Sequence, residues 1–279
     1  MQDPQGNKKI EFAVPGEWAL QKAFGPVLDE VGEDLKRVYA AGRDRLLAAS
    51  YKKIQDVDDG KQANLRVTRD VLWNGAFSES EICAEYFGGI MASSRSEDGK
   101  DDAAIQFVDV TKSLSSNQLG LHYVVYNRLN KLWVSSGARV NVGLSEDIAP
   151  RQVWFASLEL DSELALSVDP DLNILYRHGL LSEYSTNVHM VGSKALPYTS
   201  ANPTTFGVLL YAFAHNRYGE WHQFDSVDFG DFDGIQLPQY YGESLEALAE
   251  ITGLTATADA EQSGDATVDN VEEKSDASH

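Results

Sequence analysis

The sequence predicts a mainly α-helical fold: a helical bundle led by a long N-terminal amphipathic helix, followed by a smaller α+β element and an acidic tail. Three observations carry that prediction. Apolar residues recur at three- and four-residue spacing through five stretches before residue 134, the rhythm of one buried helical face. Capping residues, prolines and glycines stand at the edges of these stretches. From residue 255 to 279 aromatics are absent and Asp, Glu, Ala, Ser and Thr dominate. Such a segment buries too little apolar surface to offset its ordering entropy, so disorder is expected there.

The chain has 279 residues, 43% of them hydrophobic, enough for a packed core. Its net charge of −20 repels phosphate backbones and anionic lipid, so no nucleic-acid partner is expected. Lys and Arg balance Asp and Glu over residues 1–70, and the acidic excess lies downstream. One cysteine, Cys83, excludes an internal disulfide and fits a buried thiol in a reducing compartment. No apolar run is long enough to span a bilayer. The first residues lack the apolar stretch of a secretory signal. A cytoplasmic location is expected.

In chain order, residues 26–54 read as the first helix, opened by Gly25-Pro26. Its seam is Leu28, Val31, Leu35 and Val38, continuing through Gly42 to Leu46, and its other face is mixed charge. A polar loop over 55–61 precedes a helix over 63–74 whose apolar contacts are Leu65, Val67, Val71, Leu72 and Trp73. Ser78-Glu79-Ser80-Glu81 has capping-box form. The helix after it pairs Ile82/Cys83, Tyr86/Phe87 and Ile90/Met91 at spacing four; Gly88-Gly89 inside it needs a packing explanation. A short helix over 102–112 and a longer one after Ser115 follow, the latter with Leu119, His122, Tyr123, Tyr126 and Leu129 on one side. His122 reads as a core histidine.

Beyond Trp133 the periodicity weakens and the region to Leu160 reads as irregular, with residues 139–142 and 152–155 as candidate short strands. Asp169-Pro170 starts a helix that Gly179 ends. Residues 187–190 and 195–199 form a hairpin around Gly192-Ser193, and a helix covers 204–215. That order predicts a degenerate winged-helix-like module. Only Arg177 and Lys194 are basic between Asp169 and His215, so a structural rather than DNA-binding wing is expected. A last helix over 243–252 uses Leu245, Leu248 and Ile251. The expected domains are 1–60, the amphipathic helix region; 61–133, a central helical domain; 134–253, the α+β domain; and 254–279, the tail.

No phosphate loop, zinc-protease helix, paired-cysteine site or nucleophile elbow occurs, and no cofactor is expected. Two sets of side chains retain chemical potential. Arg217 and His222 have Arg-x4-His spacing, which HEPN-type ribonucleases use to hold phosphate and move a proton. Asp225, Asp228, Asp231 and Asp233 form a carboxylate string that a divalent cation would favour. Phe229 and Phe232 interrupt it, and an acidic surface loop with aromatic anchors is the plainer reading.

Three segments, taken in order, resemble the Abi-alpha (abortive infection alpha) family of bacterial proteins. Phe24-Gly25-Pro26-Val27-Leu28-Asp29-Glu30-Val31-Gly32 resembles its early helix, and the run from Glu79 to Ala92 its central helix. Phe107-Val108 and Leu114-Ser115 follow in the family's order. His178-Gly179-Leu180-Leu181, then Pro203-Thr204-Thr205-Phe206-Gly207-Val208-Leu209-Leu210-Tyr211, resembles its closing signature. The resemblance covers about residues 20–215 and implies phage defence; it transfers no catalytic residue. The resulting expectation is an antiviral sensor, adaptor or non-enzymatic effector. It would meet a protein partner or a second copy of itself through the N-terminal helix. The alternatives are a membrane-disrupting effector that inserts that helix on activation, and a ribonuclease using Arg217 and His222.

Overall fold

The computed structural model describes residues 27–163 and 168–254, with side chains described from Lys36 onward and omitted at 162–163. The expected tail over 255–279, the Gly25-Pro26 start and the seam residues Leu28, Val31 and Leu35 lie outside this description. The architecture is mixed α+β, 53% helical with two small antiparallel sheets, and not the bundle the helical periodicity suggested. The α+β character expected after Trp133 is there a four-stranded sheet that organises the second unit. The chain divides into two compact units: residues 1–116 with 213–217, and residues 117–212 with 218–279. These cut across the segment boundaries expected at 60/61 and 133/134.

The first unit contains α1 (Val27–Lys52), β1 (Gln62–Ala63), α2 (Leu65–Gly75), α3 (Glu81–Ser93), β2 (Arg95–Ser96) and α4 (Ile105–Ser113). Helix α3 is its centre. Every residue from Ile82 to Met91 is buried, so the helix is enclosed all round and not on one face as its apolar pairs implied. Gly88 and Gly89 permit that enclosure. A Cβ on Gly88 would lie 2.8 Å from the Ser50 nitrogen in α1, and one on Gly89 would lie 1.9 Å from the Ala214 carbonyl oxygen. Backbone-to-backbone packing of this kind excludes any side chain. The Glu85 carboxylate, buried on α3, pairs with Lys53 just past α1. Burying the acid is tolerable because the partner is held beside it. Asn64 caps α2, its side-chain oxygen accepting from the backbone N–H groups of Arg66 and Val67. The capping box at Ser78 does not form. Ser80 is the residue ahead of α3 and makes no side-chain cap, while Ser78 Oγ accepts from the Ser80 N–H.

The second unit contains α5 (Ser116–Ser136, counted here from Asn117), α6 (Ser145–Ile148), β3 (Val153–Ala156), a π-helical turn (Glu159–Glu163) and α7 (Val168–Arg177). Then come β4 (Leu181–Val191), β5 (Lys194–Pro203), α8 (Thr205–Ala214, its last two residues belonging to the first unit), a 3-10 turn (Tyr218–Gln223), β6 (Tyr241–Gly242) and α9 (Leu245–Ile251). The sheet order is β4-β5-β3-β6, all pairs antiparallel. The Gly192-Ser193 turn is where the sequence put it, with Gly192 at φ 62°. The hairpin is longer than expected because pairing continues from Val191↔Lys194 back to Leu181↔Pro203. Residues 139–142 are not a strand. The Val140 N–H donates to Asp225 Oδ2, and Asn141 takes the Gly143 and Leu144 N–H groups in a local turn.

Tyr126 of α5 joins the elements of this unit. Its hydroxyl donates to the Leu180 carbonyl and accepts from the Thr204 N–H at 3.0 Å, fixing the exit of α7 and the entry of α8. Burial pushes its phenol well up from the ordinary value, against the opposing bonds to Thr204. Gly179, at φ 69°, ends α7 in the left-handed region as expected. Helix α9 covers β5 through Leu248 and Leu196. Ile251, expected on the buried face of α9, is exposed.

Candidate functional site

The first unit carries an apolar ridge that the helical pattern did not reveal. Helix α2 buries Val67, Val71 and Gly75. Leu65, Arg69 and Trp73, each four residues apart, therefore point the other way, and Phe77 continues the line past the helix end. Leu65 is 84% exposed, Trp73 46% and Phe77 42%, so Leu65 and Trp73 are not the core contacts expected of them. The rings are ordered against one another. Trp73 meets Phe77 edge-on at 6.2 Å, and Tyr39 of α1 lies 5.4 Å from Phe77. Arg69 flanks the ridge and bonds Asp70, and Arg66 reaches Asp102 at 3.3 Å. Exposed pairs of this kind contribute little stability. Helix α1 exposes Leu47 and Tyr51 as well, again four apart. The signal in the sequence was present: two interleaved spacings in α2, one polar-poor and one carrying Arg69 with Trp73. Periodicity alone does not say which of two apolar stripes is buried.

The carboxylate string at 225–233 is dispersed by structural work on α5. Asn130 is fully buried; its amide donates to the Phe224 and Val227 carbonyls at 2.7 and 2.8 Å and its oxygen accepts from the Phe229 N–H at 3.0 Å. Asn127, one turn earlier, donates to Asp231 at 2.9 Å. The Tyr123 hydroxyl accepts from the Phe232 N–H at 2.6 Å, and the two rings stack at 4.5 Å. Asp225 is occupied by the Val140 N–H. Asp228 and Asp231 both face Lys131, at 2.8 and 3.4 Å. Partial burial pulls the Lys131 ammonium's pKa down, but these two carboxylates outweigh it and leave it raised. Asp233 is exposed. Among the described residues no group of three or more His, Cys, Asp and Glu side chains is arranged to hold a metal ion. The loop is an acidic surface segment whose aromatics, Phe224, Phe229 and Phe232, are its anchors.

Arg217 and His222 do not share an α-helix. Helix α8 stops at Ala214, Asn216 takes φ 55°, and His222 lies in the 3-10 turn from Tyr218 to Gln223. Five positions apart, the two would stand about 140° around an α-helix, and no α-helix spans them here. His222 is exposed and its Nε2 lies 3.2 Å from the Gln223 amide nitrogen. Asn216 has a structural role, donating to the Lys53 carbonyl at 2.8 Å. Cys83 is buried 3.4 Å from Ser116 Oγ, and His122 is buried with its ring stacked 4.5 Å from that of Tyr126; both are core residues, as the sequence suggested. No family model, curated protein or solved structure matches the chain.

Proposed function

We propose that this chain is an anti-phage protein of the abortive-infection kind that acts by docking a protein partner, as a sensor, adaptor or non-enzymatic effector. The defence half rests on the Abi-alpha resemblance over about residues 20–215. The contact half rests on one observation, the ordered ridge of Leu65, Trp73 and Phe77 backed by Tyr39. Exposed aromatic anchors beside an arginine are the composition of interaction hot spots. This reading moves the contact surface from α1 alone to α2 with a contribution from α1.

A membrane-surface role is the second reading, because Trp, Phe and Leu beside Arg also suit a lipid interface. No helix among the described residues is long and apolar enough to cross a membrane, so such a role would be peripheral. In the second unit, α7, the β4–β5 hairpin and β3 paired to β5 support the winged-helix-like reading with a structural function. The test is plating efficiency of a broad phage panel on cells with and without the protein. Protection against at least one phage is expected; unchanged plaque numbers across the panel would remove the defence reading. Flotation with anionic vesicles, absent under the protein reading, separates the membrane alternative.

A further inference from the structure

Among the described residues, the sheet of the second unit covers one edge with a helix and leaves the other without a further strand. At one end β6 is two residues long and covered by α9. At the other, β4 has β5 as its one strand neighbour among the described residues, with α7 packed beside its first half, and runs eleven residues without a proline, lysine or arginine. Those are the residues that usually blunt an edge.

The outward-facing groups can be named. A two-residue hairpin turn closes on a hydrogen-bonded pair, here Val191↔Lys194. Alternation then directs His189, Asn187 and Ser185 toward β5. Tyr184, Thr186, Val188 and Met190 turn their N–H and C=O groups away from it. Two details agree: Pro197, with no N–H, stands opposite Val188, and the Val188 N–H is met by the Asn187 side chain and not by β5. Beside this edge runs the flank of α7, where Asp169 accepts from Thr186 Oγ1, Asn173 donates to the Tyr184 hydroxyl at 2.8 Å and Tyr176 meets the Tyr184 ring at 6.1 Å. Between Tyr176 and Ser182–Thr186 lies a shallow, open groove.

We infer that this groove between the open edge of β4 and α7 receives an extended, basic segment of a partner protein, which adds to the sheet as a further strand. Main-chain bonding to an open edge supplies affinity in such sites, and alternate side chains supply selectivity. The basic character follows from charge. Glu183 lines the groove and Asp169 stands exposed beside it, next to Thr186, against Arg177 on α7, and the chain carries −20 overall. A second copy of this chain, itself carrying −20, lacks that charge complementarity. The site is in the second unit and stands independently of the α2 ridge.

The test uses the full chain and two pools of N-acetylated octapeptides with Val, Thr and Tyr at alternate positions. One pool has Lys or Arg between them and the other has Glu. Amide hydrogen exchange is followed along β4. The expected result is at least tenfold slower exchange at Tyr184, Thr186 and Met190 with the basic pool, and none with the acidic pool. Thr186→Pro removes an outward N–H without touching the β5 pairing, and N-methylation of alternate peptide amides removes the complementary donors. Thr186→Pro also loses the hydrogen bond from Thr186 to Asp169, so Thr186→Val, which loses that bond alone, is its reference. Each change is expected to weaken binding at least tenfold, Thr186→Pro relative to Thr186→Val. Absence of protection with the basic pool, equal protection with both pools, or binding indifferent to N-methylation would each overturn the inference.

Discussion

Replacing Asn130 with alanine tests the account of the acidic loop most severely. The side chain is fully buried on α5 and bonds three backbone groups of a loop about ninety to a hundred positions away. Alanine removes all three partners. The bonds to Phe224 and Phe229 are buried, and an orphaned buried group costs about 1–3 kcal/mol. The Val227 carbonyl is partly exposed and recovers water, so its share is smaller. Together the loss is about 3–5 kcal/mol, a large part of the ~5–15 kcal/mol that holds a domain folded. Urea unfolding followed by tryptophan fluorescence reads it directly, because Trp133 packs edge-on against Phe224 at 5.4 Å. Gln236→Ala, at an exposed position further along the same loop, is the control and stays within about 0.5 kcal/mol. A loss below about 1 kcal/mol at Asn130 with unchanged m-value would refute the idea that α5 amides hold this loop.

Other consequences are equally concrete. Gly89→Ala sets a methyl 1.9 Å from the Ala214 carbonyl oxygen, and destabilisation of about 3 kcal/mol or more is expected in thermal melts; a neutral substitution would mean α3 is not held at backbone contact. Burial, partly opposed by the Phe232 N–H bond, pushes the Tyr123 phenol up to about 12. An unfolded tyrosine ionises near 10, so the stability linked to the neutral phenol is complete below pH 10 and is lost as pH rises from 10 to 12. Denaturant midpoints that fail to fall over that range would contradict the burial of its hydroxyl. Calcium or magnesium at about 1 mM is expected to shift the melting temperature by less than about 1 °C. A rise of several degrees would restore Asp225, Asp228 and Asp231 as cation ligands.

The local signals were legible and the long-range ones were not. Helices α1 to α5, the Gly192-Ser193 turn and the Gly179 stop follow from spacing and turn chemistry in adjacent residues. Asn127 and Asn130 were passed over because two amides on an apolar helix look like interruptions; their worth depends on carbonyls far down the chain. For the same reason Arg139-Val140-Asn141-Val142 suggested a strand, since nothing nearby announces that Asp225 will claim the Val140 N–H. Ser78 and Glu81 had capping-box form, but the chain turned two residues later, at Ser80. The candidate surface was half visible. Trp73 and Leu65 were recognised as apolar, and only packing revealed that Val67 and Val71 face inward and leave them to solvent.

The claim that this protein works by contact and not by chemistry is tested most directly by plating one restricted phage on cells carrying two double variants at equal expression. Trp73→Ser with Phe77→Ser removes the ridge anchors, which are exposed, so the fold should persist in circular dichroism and melting. Arg217→Ala with His222→Ala removes the candidate catalytic pair. The account predicts that the first variant loses protection and the second keeps it. Protection that survives loss of the ridge and disappears with Arg217 and His222 would contradict it.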